Sequence, residues 1–531
     1  MQQNISLRLS PADAADNNLI LDHAAQSLAV KKEAITGFQR LKQSIDARSR
    51  QQVWINLTAK FFINEPFLKR EYAELNLQNV SNSKNTVLII GAGPAGLFAA
   101  LKLIELGIKP IILERGKDVR ARRRDLAALN KEGTVNPESN YCFGEGGAGT
   151  YSDGKLYTRS SKRGNIDRIL NIFAAFGAEE RILYESHPHI GTNKLPHIIT
   201  AIREKIIECG GEVFFEKKVT DLILQNNIVK GVATADGNIF HGNAVILATG
   251  HSARDIFQLL LAKKIHIEAK PFALGVRIEH PQMLIDSIQY HCSNRGDFLP
   301  PASYGLVQQV NQKGVFSFCM CPGGIIAPAA TSPGELVVNG WSPSKRNNPY
   351  ANSGMVVQVE MKDAFEYLKN RKSQIPIPNS NDPLLLMHFQ AAIEQKAFLT
   401  GGGKSVAPAQ RMVDFCNNKI SASLPQCSYN PGLNSSELNH VLPPYIYAAL
   451  QNGFKAFGQK MKGYLTNDAV VVATESRTSS PVRIPRNDEL LNHPQIKNLY
   501  PCGEGAGYAG GIVSAAMDGE RVAAVIAATL V

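Results

Sequence analysis

Arginine and histidine side chains in this sequence have the types and surroundings needed for anion binding and proton transfer. Arg277 and Arg346 lie in a region of predicted strands, and a guanidinium group binds a carboxylate through two parallel hydrogen bonds. His187 and His189 flank one proline, and His251 follows an Ala-Thr-Gly turn. An imidazole that titrates near neutral pH is a candidate proton donor. For each histidine, a structural role is the competing interpretation.

The other candidate catalytic side chains lie in loops that adjoin glycine-rich segments. Lys155 follows such a loop, two residues after Asp153. Arg477 precedes the last predicted strand, and Tyr508 lies within the terminal glycine run. The stretch from Glu475 to Arg483 combines arginines with hydroxyl residues, which is typical of an anion-binding loop and equally of a buried ion-pair corner. The candidate catalytic residues are therefore Lys155, Arg277, Arg346, Arg477 and Tyr508.

The segment 87–100 has the pattern of a dinucleotide-binding turn. An apolar run suited to a buried strand enters Gly-Ala-Gly-Pro-Ala-Gly, and a helix is predicted after it. Gly91 permits the tight turn, Gly93 lets the backbone approach a pyrophosphate, and Gly96 lets the helix pack close to the strand. A second apolar strand ends at Glu114, whose carboxylate can accept hydrogen bonds from an adenosine ribose. The cofactor contacts predicted here are Gly91, Gly93, Pro94, Ala95, Gly96, Glu114 and Arg115.

A second glycine-rich segment, Gly144–Gly149, satisfies the same spacing without an apolar strand before it. It is therefore predicted to be a loop with close backbone approach, not a second Rossmann turn. Ordering so many glycines is unfavourable unless the loop binds a group, such as a pyrophosphate or the edge of a flavin ring. The predicted contacts in this loop are Gly146, Gly147, Ala148 and Gly149.

The first glycine turn is compatible with either FAD or NAD, and the C-terminal segment distinguishes between these two cofactors. Residues 499–523 have the pattern of a short strand, an acid within a glycine run, and a helix of small residues, as in the last element of an FAD domain. A helix that starts near Gly511 directs its positive end toward the flavin, and Glu504 is expected near the ribityl chain or the pyrophosphate. FAD is therefore favoured over NAD. The remaining predicted contacts are Val219, Thr249, Gly250, Gly503, Glu504, Gly511 and Ile512.

Length and composition limit the class of protein. A chain of 531 residues is too long for one hydrophobic core, so several domains are expected. No uninterrupted apolar run is long enough to span a bilayer, and the polar N-terminus does not resemble a signal peptide. The eight scattered cysteines include no Cys-x-x-Cys, which predicts a reducing, cytoplasmic location and no metal site. It also argues against a disulfide reductase with that thiol motif. The net charge of +11 indicates an anionic ligand or surface.

Cys319 and Cys321 are close together in the sequence. Their neighbours Val315, Phe316 and Phe318 alternate as in a strand. We therefore interpret them as two strand cysteines in preference to a redox couple.

The patterns predict four regions in an α/β fold. Residues 1–80 are a small α+β module with a hairpin across residues 46–49. Residues 85–265 begin a Rossmann-like FAD domain of the glutathione-reductase type, with a β-meander, and residues 465–531 complete it. Residues 266–464 are an inserted substrate domain with an antiparallel sheet. Helices are predicted in that domain at 362–371, 383–398 and 444–461.

Together these residues resemble a family of uncharacterised FAD-dependent dehydrogenases, sometimes described as NAD(FAD)-utilising. The resemblance extends from the N-terminal module to the C-terminus and implies FAD and a redox role without an agreed substrate. Trp341 is a departure, because the family pattern carries methionine there; if it lines the pocket, the accepted substrate size differs. The most specific stretches are 143–156, 275–281, 318–324, 407–410, 475–484 and the terminal glycine run.

A dedicated NAD(P)H domain requires a second strand, glycine turn and helix. The Gly144 loop lacks the strand, and the terminal glycine run is already assigned to FAD. NAD(P)H is therefore expected to bind transiently or not at all.

The sequence thus predicts an FAD-dependent oxidoreductase that transfers a hydride between flavin N5 and an unidentified polar or acidic small molecule. The alternative is a flavin-dependent RNA-binding or tRNA-modifying protein. Net charge and the basic segment 115–124 favour it, but interleaved aromatics are lacking. A solvated helix face is the competing interpretation of that segment. A peripheral membrane quinone reductase is a third alternative without a convincing docking stretch, and integral membrane association is not expected. The sequence does not indicate an oligomeric state.

Overall fold

The N-terminal residues fold into a three-stranded antiparallel sheet with two short helices. The structure is a computed structural model that describes residues 1–72, 75–158, 164–370 and 379–530. The elements of this module are β1 (Gln2–Leu9), α1 (Pro11–Ala15), α2 (Asn17–Leu28), β2 (Ile35–Asp46) and β3 (Trp54–Ile63). β2 and β3 pair along their whole length, which confirms the predicted hairpin. Ser10 and Asp16 cap the two helices by accepting backbone N–H bonds, which explains where each helix begins.

Residues 86–262 build most of a parallel sheet and a small meander. The elements are β4 (Thr86–Ile90), α3 (Pro94–Glu105), β5 (Lys109–Leu113), α4 (Val119–Glu132), α5 (Ile166–Ala175), α6 (Leu195–Glu208), β6 (Glu212–Phe214), β7 (Val219–Gln225), β8 (Ile228–Thr234), β9 (Ile239–His241), β10 (Ala244–Leu247) and α7 (Arg254–Ala262). β7, β8 and β9 pair antiparallel, which confirms the predicted meander.

Residues 268–475 add a large antiparallel sheet. The elements are β11 (Glu268–Ala269), β12 (Phe272–Pro281), α8 (Gln282–Tyr290), β13 (Val307–Val310), β14 (Lys313–Cys321), β15 (Ile325–Pro328), β16 (Val338–Trp341), β17 (Tyr350–Val359), α9 (Met361–Lys369), α10 (Leu385–Thr400), β18 (Ala407–Arg411), α11 (Met412–Cys416), β19 (Leu433–Ser435), α12 (Pro444–Lys460) and β20 (Val470–Glu475). Seven strands form the sheet in the order β13-β14-β17-β12-β20-β18-β19, and all pairs are antiparallel except the parallel pair β18 and β19. α9, α10 and α12 correspond to the three predicted helices, although residue 371 lies outside the described residues.

The C-terminal residues complete the parallel sheet. They form β21 (Val482–Arg483), β22 (Leu499–Pro501) and α13 (Ile512–Leu530), and 3₁₀ turns lie at Lys32–Ala34, Gly147–Gly149, Glu180–Leu183 and Leu438–His440. The parallel order is β22-β10-β4-β5-β6, so the last strand of the chain returns to the first sheet. β10 is buried throughout and β4 nearly so, as expected for central strands of a parallel sheet covered on both faces. The predicted Rossmann-like α/β fold is confirmed, and a ligand is expected beyond the carboxyl ends of these strands.

The antiparallel sheet extends beyond the predicted domain boundary at residue 464. β20 pairs with β12 on one side and with β18 on the other. The segment 470–475 therefore lies in the antiparallel sheet, whereas the sequence assigned it to the last part of the FAD domain. The apolar sequence of β20 is compatible with a central position in either sheet. The sheet to which β20 belongs is decided by the strands with which it pairs.

Helices α3 and α13 pack against each other through Gly519. A methyl group on Gly519 would approach the backbone oxygen of Ala95 to 2.1 Å, so the two helices have no room for a larger residue there. Both helices begin at the carboxyl edge of the parallel sheet. Their close packing therefore sets the relative position of the two N-termini.

Replacing Gly519 by alanine is expected to destabilise the protein by about 1–3 kcal/mol, because a backbone oxygen has to move. In an unconstrained helix the same change stabilises by roughly 1 kcal/mol, so the sign is diagnostic. Urea unfolding of the Gly519→Ala protein measures it. The control is Ala524→Gln on the exposed face of the same helix, expected within about 0.5 kcal/mol of the parent. Equal stability of the two variants would contradict the packing argument.

Candidate cofactor and active site

A cavity of about 390 Å³ lies beyond the carboxyl ends of the parallel strands. Glycine-rich turns and the first turn of α13 line it together with side chains from the antiparallel sheet. The predicted cofactor residues that line it are Gly91, Gly93, Pro94, Ala95, Glu114, Arg115, Gly147, Ala148, Gly149, Val219, Thr249, Gly250, Gly503, Glu504, Gly511 and Ile512. Gly96 and Gly146 lie behind this surface, where each shapes a turn.

The first glycine turn has the close approaches that its spacing predicts. Gly91 has a φ of +107°, and a Cβ there would lie 2.5 Å from the oxygen of Ala248. A Cβ on Gly96 would lie 2.1 Å from the oxygen of Gly91, so α3 can pack this close to the turn only with glycine. Gly93 faces Gly147, and a Cβ on Gly93 would lie 4.0 Å from the Gly147 Cα. The two glycine segments thus face each other with no side chain between them.

The Glu114 carboxylate holds three backbone segments together. It accepts N–H bonds of 2.9 Å each from Ala92, Gly116 and Gly144. Its side chain lines the cavity while the residue is only 4% exposed. Glu114 therefore organises both glycine segments in addition to its predicted place beside a ribose.

Arg122 supports the second glycine loop from behind and was missed by the sequence reasoning. It is fully buried and donates to the carbonyl oxygens of Asn140, Tyr141, Glu145 and Gly147 at 2.8–3.0 Å. The interpretation of segment 115–124 as a solvated helix face is wrong at this position. The apolar spacing of α4 was the available signal, because Val119, Leu126 and Leu129 of the same helix are also buried.

Arg115 is also bound within the protein. Its guanidinium pairs with Glu138 at 2.6 Å and with Asp255 at 2.8 Å, and it lies over the ring of Phe143. It lines the cavity with part of its side chain.

Two unpartnered polar atoms lie at the cavity and fit a bound dinucleotide. Thr249 Oγ1 and Arg477 Nη1 are buried and have no hydrogen-bond partner within the part of the chain that the structure describes. Both residues line the cavity. Buried polar groups are normally satisfied, so an acceptor-rich ligand in this cavity accounts for both.

Arg477 belongs to a buried ion network, so the 475–483 stretch contains an ion-pair corner, while Nη1 of Arg477 has no partner among the described residues. It donates to Glu394 at 2.7 and 2.9 Å, and Arg254 pairs with Glu394 and Glu335. Although burial opposes it, the two guanidinium groups lower the pKa of Glu394. Burial and the charge of Glu394 raise the pKa of Glu335.

The Lys155 ammonium faces the cavity beside a buried carboxylate. Asp153 lies 4.0 Å from Lys155 Nζ and pairs with Arg346 at 2.7 Å. Although burial opposes it, these cations keep the pKa of Asp153 below its usual value. The role of Arg346 as a substrate clamp stays a prediction, and its guanidinium is paired with Asp153 outside the described cavity lining.

Arg277, the other predicted carboxylate clamp, is likewise bound to groups within the protein. It is fully buried behind the cavity wall and donates to Glu475 at 2.7 Å, to Asn352 at 2.8 Å and to the Cys319 oxygen at 2.8 Å. Burial raises the pKa of Glu475 to about 7 against the opposing effect of Arg277. The cavity wall in front of Arg277 includes Cys319, which the sequence reasoning did not assign to the site.

Tyr508 lies away from the cavity lining, although it was a candidate catalytic residue. The Arg486 guanidinium stacks on its ring, and the Arg486 backbone N–H donates to its hydroxyl at 3.0 Å. Arg486 also pairs with Asp518, which accepts the Gly503 N–H at 2.8 Å. Tyr508 therefore helps to position the terminal glycine run.

Trp341, the departure from the family pattern, also lies outside the described lining of the cavity.

Two of the predicted histidine proton donors, His189 and His251, are not poised near neutral pH. Burial and nearby arginines lower the pKa of His189 and of His251 to about 4, so both are neutral at pH 7. His251 lines the cavity, and its Nδ1 lies 2.8 Å from Ser252 Oγ. His187 packs against the ring of Tyr157.

Glu504 and the first residue of α13, Ile512, line the cavity. Burial raises the pKa of Glu504 to about 8 against the opposing charge of Lys270, so this lining residue is mostly neutral at pH 7. Ile512 begins α13 at the cavity, and the helix N-terminus adds partial positive charge there. A neutral Glu504 and a helix N-terminus both suit an anionic cofactor.

Several segments match known families. Residues 271–478 match the family described as FAD-dependent protein, C-terminal domain-like. Residues 84–135 match an FAD binding domain, and residues 202–294 match glucose inhibited division protein A. Residues 1–62 match a domain of unknown function.

Similar proteins and solved structures include three enzymes. A thiamine thiazole synthase of Aeropyrum pernix is 25% identical over 222 residues, covering 39% of this chain and 67% of that protein. The structure of glycine oxidase from Bacillus cereus covers 84% of this chain and 96% of its own at 14% identity and a TM-score of 0.31. The flavin-dependent brominase Bmp2 covers 84% and 79% at 13% identity and a TM-score of 0.36.

A full-length relative establishes the family. An uncharacterised protein of Clostridium beijerinckii is 38% identical over 537 residues, which cover 98% of this chain and 97% of the relative. With the FAD-dependent family matches above, this chain belongs to the same family of FAD-dependent proteins as the Clostridium protein, and its cofactor is FAD.

Proposed function

We propose that this protein is an FAD-dependent oxidoreductase acting on a polar or acidic small molecule, as expected for an FAD-dependent dehydrogenase. The observation that carries the proposal is one cavity lined by both glycine segments, the first turn of α13 and the Lys155 ammonium. When bound, FAD supplies hydride transfer at its flavin N5. The protein supplies binding, charge and exclusion of water.

Lys155 and Arg477 are the cations proposed to bind the anionic groups of cofactor or substrate. Lys155 is half-buried and lines the cavity, and its ammonium donates to the Met320 backbone oxygen and lies 4.0 Å from Asp153. Arg477 Nη1 is a buried donor with no partner among the described residues, whereas its other nitrogens are held by Glu394. In this proposal Lys155 and Arg477 take the place of Arg277 and Arg346, which the sequence analysis predicted to bind a carboxylate.

The RNA-binding alternative receives no support. Two arginines of the basic segment, Arg115 and Arg122, are occupied by Glu138, Asp255 and backbone carbonyls. A phosphate backbone requires exposed, unpaired cations along a continuous face.

In the described part of the chain, no helix combines the length and apolar character required to cross a bilayer.

A resident NAD(P)H site is not part of the proposal. Among the described residues, the five-stranded sheet is the parallel sheet of Rossmann type. We assign the glycine turn of this sheet to FAD. We therefore propose that any reduction by NAD(P)H follows a transient encounter.

An anaerobic titration of the purified protein with NADH and NADPH tests the oxidoreductase proposal. FAD is expected to copurify or to reconstitute at one equivalent per chain. Bleaching of its absorbance should have a rate proportional to nucleotide concentration, because no dedicated site saturates. Saturation at low nucleotide concentration would overturn the transient encounter. A protein that cannot bind FAD would overturn the function itself.

Replacing Gly93 by valine is expected to weaken FAD binding at least ~100-fold, about 2.8 kcal/mol. The backbone φ of −77° at Gly93 suits any residue, and a Cβ meets only the Gly147 Cα, at 4.0 Å. The fold therefore tolerates the change while the side chain fills the space between the two glycine segments. Fluorescence titration of the apoprotein with FAD measures the affinity.

The matched control for Gly93→Val is Gly305→Val. Gly305 is exposed and has no atom within 4 Å of its Cβ position. This variant is expected to bind FAD like the parent, with an unchanged circular dichroism spectrum in both variants. Normal FAD affinity in Gly93→Val would show that the cofactor does not approach this turn.

FAD affinity is expected to fall as pH rises through about 8, where Glu504 ionises. The direction follows from charge: below that pH the group is neutral, and above it a carboxylate repels the pyrophosphate. Glu504→Gln should abolish this part of the pH dependence while retaining the affinity measured at pH 7. Glu489→Gln, at an exposed acid outside the cavity lining, should leave the pH dependence intact. The same pH profile in all three proteins would contradict the role of Glu504.

A further inference from the structure

Two thiols share one ammonium group at the cavity wall. Lys155 Nζ lies 3.9 Å from Cys319 Sγ and 3.9 Å from Cys321 Sγ. Arg277 Nη2 lies 3.6 Å from Cys321 Sγ and 2.8 Å from the Cys319 oxygen. Both sulfur atoms therefore lie in the electrostatic field of two cationic side chains.

The backbone of β14 separates the thiols into an accessible and an enclosed one. Its pairing with β17 is irregular between Phe318 and Cys321, and Cys319 has a φ of +47°. A bulge redirects a side chain, and a left-handed non-glycine residue at such a position is typical of functional sites. Cys319 lines the cavity, whereas Cys321 is fully buried behind it.

The surrounding charges favour one thiolate and one thiol. Lys155 and Arg277 face the sulfurs, and their own partners are Asp153 at 4.0 Å and Glu475 at 2.7 Å; Arg346 pairs with Asp153 from the far side. A hydrogen bond from the Cys321 thiol, together with the two cations, holds the pKa of Cys319 well below its usual value despite burial. The same hydrogen bond and burial raise the pKa of Cys321.

We propose that Cys319 and Cys321 form a thiol–disulfide exchange site that reduces a small-molecule disulfide. The Cys319 thiolate attacks one sulfur of the disulfide; the S–S bond breaks, and the first thiolate leaves and takes a proton from water. The Cys321 thiol then loses its proton and attacks the Cys319 sulfur, and the second thiol leaves with that proton. The products are two small thiols and a Cys319–Cys321 disulfide.

This inference rests on the proposed function, because turnover requires two electrons from the FAD cofactor to reopen the disulfide. The proposal differs from the interpretation in the sequence analysis, which treated Cys319 and Cys321 as two strand cysteines without a redox role. The reason is that the sequence shows the strand pattern, whereas the cations come from segments more than 40 residues away.

The test is a single-turnover reaction of the reduced holoprotein with hydroxyethyl disulfide, followed by intact-mass and peptide-mass measurement. The parent is expected to release two thiols per chain and to form the Cys319–Cys321 disulfide. Cys321→Ser should stop at a mixed disulfide on Cys319, which adds one half of the reagent to the mass. Cys319→Ser should release no thiol from this site. Failure of Cys321→Ser to trap the mixed disulfide would overturn the assignment of the two roles.

The rate of alkylation against pH tests the activation of Cys319 separately. At pH 7 Cys319 is expected to react roughly tenfold faster than the half-buried Cys292, because the neighbouring thiol and the two cations favour the Cys319 thiolate, which is the reacting form. Lys155→Met should move the pH profile of Cys319 upward, and Lys155→Arg should restore it. Cys292→Ser is the control and should leave the disulfide reaction unchanged.

The outcomes separate this site from the proposed function. A protein that binds FAD but whose Cys319 reacts no faster than Cys292 would overturn the exchange site alone. A protein that forms the Cys319–Cys321 disulfide but neither binds nor reconstitutes with FAD would overturn the oxidoreductase and leave a stoichiometric exchange site.

Discussion

Three backbone segments that are distant in the sequence meet at the buried carboxylate of Glu114. The glycine turn after β4, the start of the segment that follows β5 and the loop at Gly144 each donate one N–H group to it. Hydrogen bonds to an ionised acceptor are about twice as strong as neutral ones, and leaving these N–H groups unpaired in the interior would be unfavourable. The relative position of the two glycine segments, and with it the width of the cavity, depends on this one side chain.

Buried guanidinium groups form the next layer around the cavity. Arg122, Arg277, Arg477 and Arg486 are each buried and held by carbonyl oxygens or carboxylates. An unpaired buried charge is destabilising by several kcal/mol, so each arginine requires its partner. The arginines consequently position loops and strands. Among the described residues, Nη1 of Arg477 has no hydrogen-bond partner and is available to a ligand, and Lys155 lines the same cavity.

The cavity wall combines two sheets. The parallel sheet contributes the turns that approach a dinucleotide, and β14 of the seven-stranded sheet contributes Phe318 and Cys319. Lys155 bridges the two, because it follows the second glycine loop and contacts the bulge of β14. Placing reactive side chains on a strand instead of a loop restricts their motion, which suits groups that must stay in register with a bound cofactor.

The sequence by itself determined the elements whose formation depends on near neighbours. The strand, glycine turn and helix at 86–105, the N-terminal hairpin, the meander and the terminal helix all follow from apolar periodicity and from glycines at positions of positive φ or close approach. Only the tertiary structure decided the roles of the charged side chains. Arg277 and Glu475 are 198 residues apart, and Arg346 and Asp153 are 193 apart. Whether a guanidinium is free for a ligand depends on which carboxylate the fold brings beside it, and residue type and spacing carry no information about that distance.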